Sequence, residues 1–252
     1  MPLVFITKIV AIKSQNYTSA GDELIAYLDA RIELTLSAIQ ATEVWQTIVS
    51  PKTNPKFLQS VMREVYLEIT SYQPYVIEAA IASIGQMPRS MPVRMVKAML
   101  RHQAEEFDHG EMAMRDYVAA GGDESYARTL HRISPQSFAV ASVWWMIARN
   151  RDPFVYLGAL YPFEGLTPIV SELAKQALRK NGFPEAALEF VEFHSTEDPK
   201  HTELVRHLIK ETVARYPEAE NSIKEGIEYF LAIYPLPVWQ AAYQRAQRRS
   251  DK

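Results

Sequence analysis

Apolar residues recur along this chain at spacings of three, four and five. Between Asp22 and Val49, Leu24, Ile25, Leu28, Ile32, Leu36, Ile39 and Val44 follow that rhythm with charged residues between them. Such a pattern predicts a long amphipathic helix. A second run covers Pro55 to Ile84, with an interruption expected near Pro74 because proline removes an intrahelical donor. A third begins at Pro92 and is stopped by Gly121-Gly122. Further helices are predicted over Ser134–Arg149, Pro153–Lys180, Pro184–Tyr216 and from Pro217 to about Pro235. No alternating strands, glycine-rich nucleotide fingerprint or phosphate-binding loop interrupts the series. The expectation is one all-α domain of seven or eight helices spanning residues 1–252, with its core at about 22–235.

The apolar start, Met1 to Ile12, carries Lys8 and reads as a strand-like or loosely packed lead-in, not a signal peptide. No stretch reaches the ~18 apolar residues of a spanning helix, so the expected location is cytoplasmic. The 27 Lys and Arg against 30 Asp and Glu give a net charge of -3, which argues against nucleic acid as a partner. With no cysteine in 252 residues, disulfides, iron–sulfur clusters and thiolate-bound zinc are excluded.

Histidine changes the picture. The chain has six, and four of them fall in two octads of one pattern. The first is His102-Gln-Ala-Glu105-Glu106-Phe-Asp-His109, and the second, about 90 residues on, is His194-Ser-Thr-Glu197-Asp198-Pro-Lys-His201. On a straight helix, offsets of 0, 3, 4 and 7 fall at about 0°, −60°, +40° and −20°, so each octad presents two imidazoles and a carboxylate on one face. The two histidines of an octad would lie about 10.5 Å apart along the axis. That span suits two cations with a carboxylate between them better than one. Paired Glu-x-x-His motifs with an extra glutamate from each of two other helices build two-metal sites in helical bundles. Here Glu106-x-x-His109 and Asp198-x-x-His201 supply the pairs. Glu164 and Glu78, each in a Tyr-x-x-Glu within apolar surroundings, are candidates for the extra carboxylates.

Bland readings apply elsewhere. Glu105 and Glu197 sit at the edge of the face, fit for a supporting or surface role. His131 and His207 read as surface residues, Trp144-Trp145 as core filling, and Arg245, Arg248, Arg249 and Lys252 as a solvated tail. Imidazole plus carboxylate suits iron, manganese or zinc, and two ions in a mixed nitrogen and oxygen set favour iron or manganese. Pro199 is expected to loosen the helix around Asp198.

These residues resemble the haem-oxygenase-like di-iron oxidases, relatives of the TenA and PqqC proteins and of the CADD-type protein. The likeness runs from about residue 25 to 230. Its most specific parts are His194-x-x-x-Asp198-x-x-His201, Glu164 within LGALYPFEGLTP, and His109 ahead of an apolar run ending in Gly-Gly. The resemblance implies a seven-helix haem-oxygenase-like fold that commonly pairs into a homodimer. It also implies the ligands His109, Glu164, His194, Asp198 and His201, with Glu106 or His102 as the remaining one. Two iron ions (or manganese) are the implied cofactors, with no sign of haem, flavin or nicotinamide. The implied activity is oxidation of a small molecule by O2: N-oxygenation, hydroxylation or C–C cleavage of an amine, amino acid or fatty acid. Glu106, Glu164 and Asp198 would carry the chemistry, and the electron donor is unknown. Tyr75, Tyr161, Phe163 and Tyr72 are the expected pocket residues. Two alternatives stand beside this reading: a CADD-like synthase that consumes one of its own tyrosines to make an aminobenzoate, and a helical metal- or small-molecule-binding protein without turnover.

Overall fold

The computed structural model describes residues 19–129 and 133–250. These form twelve α-helices: α1 (Ala20–Gln40), α2 (Glu43–Val49), α3 (Pro55–Ile84), α4 (Val93–Glu105), α5 (His109–Ala119), α6 (Glu124–Ala127), α7 (Pro135–Asn150), α8 (Val155–Lys180), α9 (Glu189–Thr196), α10 (Asp198–Arg215), α11 (Ala219–Leu231) and α12 (Leu236–Ser250). A 3₁₀ turn, Glu185–Ala187, precedes α9. No strand occurs among the described residues, and no helix there is long and apolar enough to cross a membrane. Met1–Ile12, His131 and Lys252 lie outside the described residues.

Local chemistry sets the boundaries. Asn54 Oδ1 accepts from the amides of Lys56 and Phe57, with Pro55 in the first turn, and Ser134 caps α7 ahead of Pro135 in the same way. At the end of α5, Gly121 takes φ +83°. The amides of Gly121 and Gly122 bond the carbonyls of Val118 and Tyr117, the pairing that closes a helix through a left-handed residue.

Several predicted helices divide. The Asp22–Val49 run breaks at Ala41-Thr42, where the Thr42 hydroxyl bonds the Ile39 carbonyl and accepts from the Trp45 amide to start α2. The run from Pro92 breaks at residues 106–108, and the run from Pro184 breaks at Glu197, immediately before Asp198-Pro199. Conversely, α3 continues through Pro74, and α8 through Pro162 and Pro168.

Two long helices organise the bundle. Helix α3 packs on α5, α7 and α12, while α8 packs on α1, α9, α10 and α11. Helices α8 and α11 cross backbone to backbone: a Cβ on Gly158 would meet the Ile223 carbonyl at 1.8 Å, and one on Gly226 the Val155 carbonyl at 2.1 Å. Side chains at these two positions would push the helices apart.

The C-terminal segment is a helix, not a solvated tail. In α12, Val238, Ala242 and Ala246 are buried. Arg245 Nε lies 2.9 Å from Glu64 Oε2, Arg245 also pairs with Glu68, and Arg249 lies 2.7 Å from Glu64. Trp144 is fully buried, as expected of core filling, and His207 is exposed beside Glu211.

Candidate metal centre

Two of the three helix breaks fall inside the histidine octads, and they bring the donor residues together. A straight α4–α5 helix would hold His102 and His109 about 10.5 Å apart along its axis. Instead α4 ends with His102 in its last turn, Glu106 follows as its C-cap, and His109 opens α5. Both imidazoles thereby reach one carboxylate. His109 Nδ1 lies 2.6 Å from Glu106 Oε2, and His102 Nε2 lies 3.8 Å from Glu106 Oε1. The second break does the same, with His194 in the last turn of α9 and His201 in the first turn of α10. Glu164 enters from the middle of α8.

Two sets of donors result. His102, Glu106, Glu164 and His201 form one, and Glu106, His109 and His194 form the other, each with its ligand atoms within 4.8 Å of one another. In the first, Glu164 Oε1 is 3.2 Å from His102 Nε2, and His201 Nδ1 is 3.1 Å from Glu106 Oε1. In the second, His194 Nε2 is 3.1 Å from His109 Nδ1. Glu106 belongs to both sets, one carboxylate oxygen facing each. His102, Glu106, His109, Glu164, His194 and His201 are all buried. Yet His102 Nε2 and Glu106 Oε1 find no hydrogen bond of sound geometry among the described residues, despite close neighbours of opposite charge. Close but misaligned donors are what lone pairs aimed at a common point produce, and a buried polar atom left so is costly unless something else binds it.

Burial works against ionised Glu106, but His109 and His201 outweigh it and hold the carboxyl well below the usual range. Burial likewise pulls His201 down, while Glu106, Glu164 and Glu105 raise it to about 9. His102 is raised because Glu164 and Glu106 overcome its burial. His194 falls to about 3, through burial first and then the adjacent His109.

Outer contacts orient the imidazoles. His194 Nδ1 donates to the Phe190 carbonyl at 2.6 Å, which fixes its Nε2 as the free lone pair. Asp116 of α5 holds the start of α9, accepting from the Glu189 amide at 3.0 Å and the Phe190 amide at 2.8 Å. Burial pushes the Asp116 carboxyl up to about 6. Gln103 Nε2 lies 2.9 Å from His102 Nδ1 and 3.2 Å from the Tyr156 hydroxyl. With its amide turned over, Gln103 would accept the Nδ1 proton and leave Nε2 to a cation. Glu105, half exposed, reaches His201 Nε2 at 3.2 Å, a supporting contact of the kind that steadies a ligating imidazole.

Other expected residues go elsewhere. Glu78 is exposed and lines an outer cleft together with half-buried Tyr75. The inward face of α3 carries Gln73, Val76, Ile77 and Ala80, and position 78 turns away from it. The Tyr161 hydroxyl donates to Asp29, away from the centre. The side chain of Asp198 lies outside the described residues; Asp198 itself opens α10. Phe163 and Tyr72 line a small cavity of about 40 Å³ beside Glu106, Glu164 and His194. Trp144, Gln73, Phe190 and Tyr234 line it too, and the sequence offers no spacing signal for them. Gln103, one residue after His102, falls about 100° off the face of offsets 0, 3, 4 and 7, so that face argument does not pick it out.

Residues 74–234, more than half of the chain, match the sequence model of a family described as iron-containing redox enzyme. The chain belongs to this family. No curated protein matches it by sequence. Solved structures show the fold of this iron-containing redox enzyme family member to be haem-oxygenase-like. One is a domain of unknown function with a heme oxygenase-like fold from Shewanella denitrificans, at TM-score 0.76 and 18% identity, covering 88% of this chain and 93% of that one. A TenA homolog from Pseudomonas syringae aligns at TM-score 0.63 and 15% identity, over 90% and 93% of the two chains. A TenA homologue from P. horikoshii aligns at TM-score 0.61 and 15% identity, over 88% and 98%.

Proposed function

We propose that the protein is a non-haem di-iron oxidase that uses O2 to oxidise a small molecule. The observation that carries this reading is Glu106, whose two oxygens face two separate sets of buried nitrogen and oxygen donors. His102, Glu164 and His201 would complete one ion's protein ligands, and His109 and His194 the other's, with Asp198 added by the resemblance. A single-ion site would leave one set without a purpose. Imidazole and carboxylate without thiolate suit iron or manganese.

Bound ferrous iron would supply the electrons and the open coordination positions for O2 that no side chain here can offer. The chain's own contribution is structural and electrostatic. Glu106 and Glu164 would provide negative charge to balance two divalent cations, and because the same carboxylates raise His102 and His201, a cation would compete with protons at these two imidazoles. Gln103, Glu105 and the Phe190 carbonyl orient three of the imidazoles. Phe163, Phe190, Val76, Ile77 and Leu160 wall the adjoining cavity and keep bulk water from it.

The test is anaerobic loading with Fe(II) followed by exposure to O2. The expected outcome is two irons bound per chain and a transient visible absorption as oxygen is consumed. Reversible metal uptake with no oxygen consumption, with or without candidate substrates, would instead favour a binding protein.

A further inference from the structure

The cavity beside the centre does not end there. A second cavity, of about 60 Å³, lies behind it between α2, α3, α8, α9 and α12. Thr167, Phe190 and Tyr234 line both, so the two share a wall of three side chains. Their linings differ in kind. The first holds Glu106, Glu164 and His194, together with the side-chain amides of Gln73 and Gln103. The second is walled by Ile48, Val65, Ile69, Leu166 and Val170, and contains no charged group.

We propose that the two cavities are one binding site for a short, unbranched aliphatic molecule with an oxygen-bearing head, the head beside the centre and the tail past Tyr234 in the apolar chamber. The proposal deepens the oxidase reading and rests on it for the chemistry, although tail binding itself needs no metal. Size selects the tail. A cavity that takes a benzene ring is about 150 Å³, or about 25 Å³ per carbon, so a chamber of about 60 Å³ holds two or three carbons and no ring. With the neighbouring space of about 40 Å³, the pair accommodates a chain of about four carbons.

An orphan donor selects the head. Trp144 lines the cavity beside the centre, is 0% exposed, and its indole N–H has no acceptor among the described residues. A ligand oxygen there would satisfy a donor that the fold leaves unpaired. The same contact would set which carbon of the chain faces the centre.

Straight-chain primary alcohols from ethanol to decanol are suitable neutral probes. Their binding to the full chain, as purified and again after zinc loading, is to be followed by titration calorimetry and by the indole N–H resonance of Trp144. Affinity is expected to rise about fourfold per added methylene, to a plateau at four to six carbons. Trp144→Phe should weaken every chain length by about the same factor, on the order of tenfold. Ala174 also lines the apolar chamber; Ala174→Phe, and independently Val170→Phe in case the first misfolds, should abolish the gain from lengthening. Chain-length-independent affinity, no saturable binding at any length, or benzyl alcohol binding as tightly as butanol would overturn the proposal. None of these outcomes depends on iron or O2 uptake, so loss of the oxidase reading would register separately.

Discussion

Two buried acidic clusters sit in this bundle, and their neutralising partners differ. Glu64 and Glu68 of α3, at 1% and 3% exposure, are held by Arg245 and Arg249 of α12, with Ser134 and Ser137 also bonding Glu68. Glu106 and Glu164, at 9% and 3%, are surrounded by four histidines. Guanidinium groups remain protonated throughout the accessible pH range and have no lone pair to give a metal. The first cluster is therefore a fixed charge lock between α3 and α12. Imidazoles can shed their protons and turn a lone pair inward, so the second can exchange protons for cations. Burial of carboxylates alone does not mark a metal site; the partner's ability to give up its proton does.

Crossed substitutions separate the two clusters. Glu106→Ala should have the largest effect, removing the shared ligand. Bound metal is expected to fall from about two ions per chain to near zero, and oxygen consumption on the order of 10³-fold, beyond the ~10–100-fold typical of outer partners. Metal analysis and an oxygen electrode read both, and because His109 and His201 lose their buried partner the unfolding midpoint should fall as well. Arg245→Ala should affect stability alone. Leaving Glu64 and Glu68 buried with one guanidinium fewer is expected to cost about 3 kcal/mol in urea unfolding, with metal content unchanged.

Smaller effects sharpen the contrast. Gln103→Leu removes the amide beside His102 Nδ1 and should weaken metal binding by about 10–100-fold in competition with a chelator. A wild-type affinity in that variant would remove Gln103 from the account. Glu78→Gln on the outer face of α3 is expected to change neither metal content nor, beyond about 0.5 kcal/mol, stability.

Much of this was legible in the sequence, for reasons that also explain what was not. The octads stand out because helical periodicity gathers offsets 0, 3, 4 and 7, and Pro55 marks the start of α3. The break before Asp198-Pro199 carried its own proline signal. The break after Glu106 did not: no proline or glycine lies between His102 and His109, so a continuous helix was the natural reading. Glu78 is exposed although its neighbours in sequence are apolar, because one residue along a helix turns the side chain ~100° away. Arg245, Arg248 and Arg249 read as a tail in sequence because the buried stripe of α12 is Val238, Ala242 and Ala246, small residues among glutamines and arginines that give a weak hydrophobic pattern. Trp144, Phe190 and Tyr234 meet only through tertiary packing.

The central claim is that Glu106 joins two ions, and anomalous diffraction from iron-loaded crystals tests it most directly. The account predicts two iron peaks, about 3.5–4 Å apart, one beside each Glu106 oxygen, with His102, Glu164 and His201 around the first and His109 and His194 around the second. A single peak, or iron bound away from Glu106, would contradict it.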